Sequence, residues 1–393
     1  MENFDVIQAL VRAALAGNRE GVMQQTERLV ERLGEASDQD AVRSLKGMLG
    51  RARKFQATEP VSFTMSSGLE GKLQKLGLRT PLPVDKESGV PLCEVSFPRA
   101  GLEMPILESQ TGSAVAGLIE EWLHKETLAA SGVPASQSLL LFGAPGTGKT
   151  TLARFLANEL GLPAVLVRLD GLISSLLGST AKNLASLFDF SNRYDTVLIL
   201  DEFDAVAKVR DDANEVGEIK RVVNALLQNL DRRAEVGLTI GITNHEQLLD
   251  TAIWRRFEHQ IFLGLPGFAV RIQIAEDQMG LLNLPSSLAR AVAWLSDGLS
   301  GADVKTLAIS TMKAYVLNAR SVPPIEVLRL AVRGSGPRIG AIFDLLHDSD
   351  PALANRMVEG AVGFGSPELG ELFGKDRRTI ARWTQGGSED AVQ

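Results

Sequence analysis

Glycine, threonine and lysine are grouped between residues 143 and 150 with a spacing that suits phosphate binding. The run is Gly143-Ala144-Pro145-Gly146-Thr147-Gly148-Lys149-Thr150, which is a glycine, four residues and then Gly-Lys-Thr. Glycines let backbone amides turn towards phosphate oxygens, and a helix that starts directly after them adds positive dipole. We expect Lys149 to reach the β- and γ-phosphates of a nucleotide, and the Thr150 hydroxyl to bind Mg²⁺.

Two acidic residues follow an apolar segment further along the chain. The run from Val197 to Leu200 predicts a buried strand, and Asp201 and Glu202 come directly after it. Alone, such a pair is often only a solvated strand end. Beside a phosphate loop, Asp201 is predicted to hold Mg²⁺, and Glu202 to polarise the water that attacks the terminal phosphate.

The elements that position these residues are predicted from the hydrophobic pattern. Short apolar runs alternate with amphipathic segments, which is typical of an α/β domain whose buried parallel strands are joined by helices. The predicted strands are 139–142, 164–169, 197–200, 238–242 and 260–263. Predicted helices begin near Lys149, Ala181 and Gly217. The phosphate loop therefore follows a strand and opens a helix, which is the context that its motif requires.

Further motifs occur in the order and spacing of the AAA+ ATPases. They are Asp201-Glu202-Phe203-Asp204, Ile242-Thr243-Asn244, Trp254-Arg255-Arg256-Phe257 and Gly298-Leu299-Ser300-Gly301-Ala302-Asp303. With the phosphate loop, they make residues 115 to 322 resemble that family, and most of all the branch that includes katanin and spastin. The resemblance implies the parallel sheet of a P-loop NTPase with a helical lid, flanked here by small α-helical N-terminal and C-terminal regions.

The resemblance also implies roles for individual residues, with ATP and Mg²⁺ as the cofactors. The nucleotide-binding set would be Gly143, Ala144, Pro145, Gly146, Thr147, Gly148, Lys149, Thr150, Thr151, Asp201, Gly301 and Ala302. Thr150 and Asp201 would hold the metal, and Asn244 would orient the attacking water. Arg255 and Arg256 would reach the nucleotide of a neighbouring subunit, which implies a ring and, by resemblance, a hexamer.

A loop after the second predicted strand corresponds to the first pore loop of the family, which grips an unfolded polypeptide. Leu176, Leu177 and Gly178 lie there, and Leu176 occupies the position of an aromatic ring. An isobutyl group offers a smaller flat contact than a ring. Threading of a polypeptide and a non-threading role therefore both stay open.

We divide the chain into five parts from its composition. Residues 1–54 contain no proline and carry apolar residues at helical spacing, whereas six prolines punctuate the segment from Pro60 to Pro105. The predicted parts are an N-terminal helical domain (1–54), a linker with a few short strands or turns (55–114), a large ATPase domain (115–266), a helical lid (267–322) and a helical tail (323–393).

Within the tail, residues 366–385 resemble a helix-turn-helix. Gly370 precedes the turn glycine Gly374 by four positions, and Ile380 and Trp383 supply a buried face for the second helix. Contacts with nucleic acid are predicted for Arg377, Arg378, Thr379 and Arg382. The segment 366–383 holds four basic and three acidic residues, which is a weak electrostatic footprint for DNA. A helical hairpin that contacts protein is an equal alternative.

The composition limits the remaining classes. The 393 residues are 45% hydrophobic and 23% charged, with a net charge of −7, which argues against a general phosphate-backbone clamp. Cys93 is the only cysteine, which excludes intramolecular disulfides and thiolate-rich metal sites. We find neither a signal-peptide core nor a membrane-spanning run, and we expect a cytoplasmic protein without a membrane partner.

Three functions fit these patterns. The leading hypothesis is an ATP-hydrolysing ring motor, an ATPase that remodels, unfolds or disassembles a protein partner. The second is a nucleic-acid-directed ATPase or regulator that uses the tail. The third is a nucleotide-gated switch for a separate protease or other effector enzyme, as the resemblance to compact prokaryotic AAA ATPases suggests.

Overall fold

The structure is a computed structural model of the chain. It describes residues 26, 28–30, 74–85, 88–174, 180–205, 216–233, 237–249, 251–280, 282, 284–318, 322–333, 346–359 and 362–385. The predicted pore-loop residues Leu176, Leu177 and Gly178 lie outside these ranges, as does most of the predicted N-terminal helical domain (1–54).

The chain separates into two units, Met1–Lys72 and Leu73–Gln393. In the first unit the described residues, Thr26 and 28–30, are helical. The border between the units falls inside the predicted linker, and the five-part division of the chain stays a prediction. Everything below concerns the second unit.

Six strands form one sheet in the order β1-β3-β4-β5-β2-β6. They are β1 (Glu94–Ser96), β2 (Ser138–Phe142), β3 (Ala164–Arg168), β4 (Val197–Asp201), β5 (Thr239–Thr243) and β6 (His259–Phe262). Strands β2 to β6 are mutually parallel, which confirms the predicted sheet, and their bounds differ from the prediction by at most one residue. Strand β1 falls on one of the short apolar pieces, Val95-Ser96-Phe97, for which the sequence predicts a short strand or a turn. It lies in the predicted linker and pairs with β3 in the antiparallel sense.

Fourteen helices of four or more residues are defined in the described part of the second unit. They are α1 (Ser109–Leu123), α2 (Lys125–Ala130), α3 (Lys149–Glu159), α4 (Leu169–Ser174), α5 (Thr180–Arg193), α6 (Val216–Arg233), α7 (Thr251–Trp254), α8 (Phe268–Met279), α9 (Ser286–Leu295), α10 (Gly301–Leu317), α11 (Pro324–Val332), α12 (Asp350–Glu359), α13 (Ser366–Phe373) and α14 (Arg377–Gln385). In the described ranges, no helix has the length and apolar character needed to cross a membrane.

The sheet is buried on both faces, which explains why its strands read as continuous apolar runs. Successive side chains of a strand point to opposite faces. In β2, Leu139 and Leu141 join one hydrophobic core, whereas Leu140 joins the core on the other face. Both cores continue through β3 and β4, and helices cover each face. The carboxyl ends of the parallel strands therefore meet at one edge, where loops can place chemical groups.

The helices from α8 to α14 share a third hydrophobic core. It includes Leu288 of α9, Leu353 of α12 and Leu372 of α13, all fully buried. An ion pair of 2.5 Å between Arg290 and Glu368 also joins α9 to α13. The predicted lid (267–322) and the described helices of the predicted tail thus pack together.

The last two helices meet at a tight turn. Gly374 ends α13 in the left-handed conformation, with φ of 63°, and the Lys375 amide donates to the Gly370 carbonyl at 3.0 Å. Ile380 of α14 is buried, and Trp383 packs edge-on against Phe373 with a centroid distance of 5.7 Å. These contacts explain the small residue at 370, because a methyl group there would lie 3.0 Å from the Lys375 carbonyl oxygen.

Candidate active site

The loop at 143–148 leaves the carboxyl end of β2 and leads directly into α3. Two of its glycines combine a positive φ with close neighbours: 132° at Gly143 and 81° at Gly146. A side chain on Gly143 would overlap the Leu263 carbonyl oxygen, and one on Gly146 would lie 2.5 Å from Ser300 Oγ. The loop is therefore held against the end of β6 and the start of α10 at positions where only glycine fits.

Lys149 lies beneath this loop with 5% of its surface exposed. Its Nζ donates to the carbonyl oxygens of Gly143 at 2.8 Å and Ala144 at 2.7 Å. Burial lowers the pKa of Lys149 to about 8, against the attraction of Asp201 and other acidic groups. A negatively charged ligand beside Nζ would hold the proton on the amine, which suits a phosphate.

Thr150 and Asp201 face each other across the site. Thr150 Oγ1 donates to Asp201 Oδ2 at 2.9 Å, and the Glu202 amide donates to Asp201 Oδ1 at 2.9 Å. A hydroxyl and a carboxylate are the oxygen ligands that Mg²⁺ takes beside phosphates. The two residues predicted to hold the metal are thus in contact and fit that ion. Thr151, the next residue of α3, is exposed.

Glu202 is the one non-glycine residue with a positive φ in the described ranges, at 56°. Its Oε1 lies 3.4 Å from a guanidinium nitrogen of Arg168, which also lies 3.5 Å from Asp170 Oδ2. A hydrogen bond with Asp170 is the main cause that raises the pKa of Glu202, and burial adds to it. The same bond is the main cause that lowers the pKa of Asp170.

Arg168 and Asp170 were missed by sequence reasoning. Arg168 is the strand partner of Asp201 in the β3–β4 register, so it ends beside the two acids. The order of the strands decides this contact, and no local motif marks it. The one signal in the sequence was that charged residues follow a predicted buried strand, and this signal could have been sought at the end of every strand of the sheet.

Asn244 directly follows β5, the strand between β4 and β2, and is half-buried. The Thr243 hydroxyl beside it donates to Asp204 at 3.2 Å and accepts from the His245 amide at 3.0 Å. The Phe203 amide donates to the Ile242 carbonyl at 2.8 Å. The end of β5 is therefore fixed to the acidic segment 201–204, and Asn244 lies at the same edge of the sheet.

The start of the lid contacts the phosphate loop. The Ala302 amide donates to the Gly146 carbonyl at 3.0 Å. Ser300 caps α10 and exchanges hydrogen bonds with Asp303 in a capping box. Gly301 and Ala302, predicted from the lid motif, therefore lie beside the loop.

A pocket opens next to Thr147 and Gly301. Its lining also includes apolar and polar residues before and within α1, at the end of β6 and in α8: Ile106, Leu107, Glu108, Thr111, Leu263, Val270 and Ile274. Glu108 accepts a hydrogen bond of 2.7 Å from the Gly267 amide, which joins this segment to the start of α8. A mostly apolar pocket beside a phosphate loop suits a nucleotide base. The contribution of 106–108 was missed, since this segment carries no motif and was assigned to the linker.

Arg255 and Arg256 directly follow α7. Arg255 is exposed, and Arg256 is half-buried and forms an ion pair with Asp231. In the described ranges, no hydrogen bond or ion pair joins either arginine to the loop at 143–150. The chain thus brings together the loop, the acids, Asn244 and the lid, but not the two arginines.

A parallel sheet with a phosphate loop after one strand and paired acids after another defines the class of P-loop nucleoside triphosphatases. Residues 139–265 match the ATPase family associated with various cellular activities (AAA). The chain therefore carries an AAA ATPase domain.

Curated relatives agree with this family, and a solved structure agrees with the fold. The chain is 36% identical over 215 residues to the uncharacterised AAA family ATPase y4kL of Sinorhizobium fredii, which covers 55% of this chain and 65% of that one. It is 32% identical over 193 residues to the proteasome-activating nucleotidase of Pyrococcus horikoshii, over 47% of this chain and 48% of that one. The crystal structure of the FIGL-1 AAA domain superimposes with a TM-score of 0.51 at 21% identity, over 64% of this chain and 90% of that one. The chain thus spans about half to two thirds of these two curated relatives.

Proposed function

We propose that this protein is a Mg²⁺-dependent ATPase that works as a ring and remodels, unfolds or disassembles a protein partner. The observation that carries the proposal is the division of the predicted site. One chain assembles the loop, both acids, Asn244 and the lid, whereas Arg255 is exposed and makes no hydrogen bond or ion pair with that loop in the described ranges. A neighbouring copy would complete the site.

In the hydrolysis that we propose, each residue has a separate role. Lys149 would bind the β- and γ-phosphate oxygens from beneath the loop. Thr150 and Asp201 would hold Mg²⁺, which when bound supplies positive charge against the phosphate oxygens. Glu202 would accept a proton from the attacking water, and Asn244 would orient that water.

Glu202 must be ionised to accept this proton. Asp170 and burial favour its protonated form, whereas Arg168 favours the carboxylate. Both neighbours belong to β3 and α4, and not to the strand that carries Glu202. We propose that they set the position of the Glu202 carboxyl group as well as its charge.

A ring follows from the proposed role of the arginine pair. The turn that carries Arg255 and Arg256 would face the nucleotide of the next subunit, in a hexamer by resemblance to AAA+ ATPases. A protein partner is supported by the name of one relative, a proteasome-activating nucleotidase. Threading of that partner would use Leu176, Leu177 and Gly178, which lie outside the described residues.

Glu202→Gln tests the proposal. The variant should bind ATP but lose about 10²- to 10⁴-fold in turnover, stay assembled and retain its partner. The control is Glu359→Gln, which makes the same change at an exposed position at the end of α12. Purification in Mg-ATP and removal of nucleotide should then release a protein. Unchanged turnover in Glu202→Gln would refute the catalytic assignment.

A second candidate, a nucleic-acid-directed ATPase, is favoured by one surface. Arg377, Arg378 and Arg382 of α14 are exposed, and Thr379 is half-buried. Such a helix suits the phosphate and base contacts of a helix-turn-helix. Replacement of Arg377 and Arg378 by alanine should abolish binding to a DNA duplex, and wild-type binding should weaken steeply with salt. Absent or salt-insensitive binding would eliminate this candidate.

A further inference from the structure

The two adjacent arginines after α7 have different surroundings. Arg255 is exposed and makes no side-chain hydrogen bond or ion pair with the described part of the chain. Arg256 directs Nε to Asp231 Oδ1 at 2.8 Å and one terminal nitrogen to Asp231 Oδ2 at 3.2 Å. Its other terminal nitrogen donates to the Ala252 carbonyl at 2.8 Å. All three nitrogens of Arg256 are thus engaged within its own chain.

The partner of Arg256 is fixed in turn. Asp231 lies in the last turn of α6, two residues before Arg233. Arg233 is fully buried and donates to the carbonyl oxygens of Ser191 at 2.7 Å and of Thr196. Thr196 directly precedes β4, the strand that ends in Asp201. Asp231 is therefore anchored to the same strand that carries the acidic residues of the site.

The ion pair of Arg256 and Asp231 is better suited to orienting the Arg256 side chain than to stabilising the folded protein. Its side chains are 30% and 54% exposed, and ion pairs with that much solvent contribute little to folding. A bidentate contact with a carboxylate nevertheless restricts the direction of a guanidinium group. The Arg256 amide also bonds the Ile253 carbonyl at 3.0 Å, so the turn that presents Arg255 is held from both the backbone and the side chain.

We infer that the two arginines have different roles in ATP hydrolysis. Arg255 alone reaches the nucleotide of the neighbouring subunit, and Arg256 is a positioning residue that Asp231 of its own chain holds so that Arg255 points outwards. The inference rests on the proposed ring and narrows the sequence prediction that both arginines act on the neighbouring nucleotide.

The first test is a double-mutant cycle on steady-state ATP hydrolysis. Arg255→Ala should lose about 10³-fold or more in kcat. Arg256→Ala and Asp231→Ala should each lose about 10- to 100-fold, because a misplaced group is still present, and the double variant should be no worse than either. KM for ATP should stay unchanged, since neither residue contacts the nucleotide loop of its own chain.

Exchange of the charges separates positioning from direct contact. Asp231→Arg combined with Arg256→Asp restores the pair in reverse and should regain most of the lost kcat. Asp189→Ala, an exposed aspartate on α5, is the matched control and should behave as wild type. Wild-type kcat in Asp231→Ala, with Arg256→Ala as impaired as Arg255→Ala, would overturn the inference.

Mixed assemblies show which subunit needs Asp231. Lys149→Ala chains cannot bind nucleotide but can offer Arg255, so mixing them with Arg255→Ala chains should regain turnover. Chains carrying both Lys149→Ala and Asp231→Ala should restore about 10- to 100-fold less turnover, because their own Arg255 is present but misplaced. Equal recovery in the two mixtures would overturn the proposed role of Asp231 and leave the ring and Arg255 unaffected. No recovery in either mixture would contradict the proposed ring, and this inference with it.

Discussion

Gly241 in the middle of β5 illustrates how single residues fix the site. A methyl group there would lie 2.7 Å from the Phe257 ring, which packs edge-on against Phe203 at a centroid distance of 5.8 Å. Phe257 follows the two arginines, and Phe203 follows Glu202. One glycine in the strand therefore makes room for the contact that joins the arginine turn to the acidic strand end.

Gly241→Ala should accordingly damage both stability and turnover. Overpacking of a buried ring costs about 1–3 kcal/mol, and a displaced Phe257 would move Arg255. Gly117→Ala is the matched control, because Gly117 lies in α1 with no atom within 4 Å of the added methyl group. That change should stabilise the protein by up to about 1 kcal/mol. Urea unfolding and ATP turnover measure the two effects, and a Gly241→Ala protein as stable as wild type would contradict the packing.

At the scale of whole elements, α14 is held at its start by Asp376. Oδ1 accepts from the amides of Arg378 at 2.9 Å and Thr379 at 3.0 Å, and Oδ2 accepts from the Thr379 hydroxyl at 2.9 Å. The bonds with Thr379 are the main cause that lowers the pKa of Asp376. A carboxylate at the N-terminus of a helix satisfies amides that have no partner within the helix.

The contribution of this cap should depend on pH. Because the pKa is lowered in the folded protein, the stabilisation is fully present above the pKa of the unfolded chain and is lost as the pH falls through the folded value. Asp376→Ala should therefore speed amide hydrogen exchange in α14 at neutral pH and have little effect in acid. Asp376→Asn keeps a neutral acceptor and should remove the pH dependence while retaining part of the protection. Equal exchange in the alanine variant at neutral pH would argue against the cap.

Strand β1 can be followed through the single cysteine. Cys93 directly precedes β1 and is buried in the core beneath it, and burial raises the pKa of its thiol to about 11. The thiolate fraction at pH 8 is then roughly a hundredfold below that of an ordinary cysteine. Labelling with a maleimide should be slow in buffer and rapid in denaturant. Rapid labelling of the native protein would mean that β1 does not stay paired with β3.

The elements also explain what the sequence could and could not predict. Strands β2 to β6 were found within one residue, since they are buried on both faces and flanked by motif residues. Strand β1 is only three residues long and half-buried, so its hydrophobic pattern is too short to show a periodicity that would fix its bounds. The contacts of Arg168 with Glu202 and of Arg256 with Asp231 depend on which strands and helices are neighbours, and local spacing does not contain that order.

For the molecule as a whole, the proposed role of the exposed Arg255 would make catalysis depend on assembly. If each site needs an arginine from another copy, turnover per chain must depend on protein concentration. At fixed, saturating Mg-ATP, turnover per chain should fall on dilution and level off at high concentration. Sedimentation of Glu202→Gln with ATP should show assembly over the same concentration range.

Arg255→Ala provides the internal control for this dilution experiment. It should sediment as wild type does, because Arg255 is expected to stabilise charge in the transition state and not to hold the ring together. Its turnover should nevertheless be low at every concentration, so that assembly and activity separate in one variant. Turnover per chain that stays constant on dilution below the assembly range would mean that each chain hydrolyses ATP alone. The two arginines would then need a role within their own subunit.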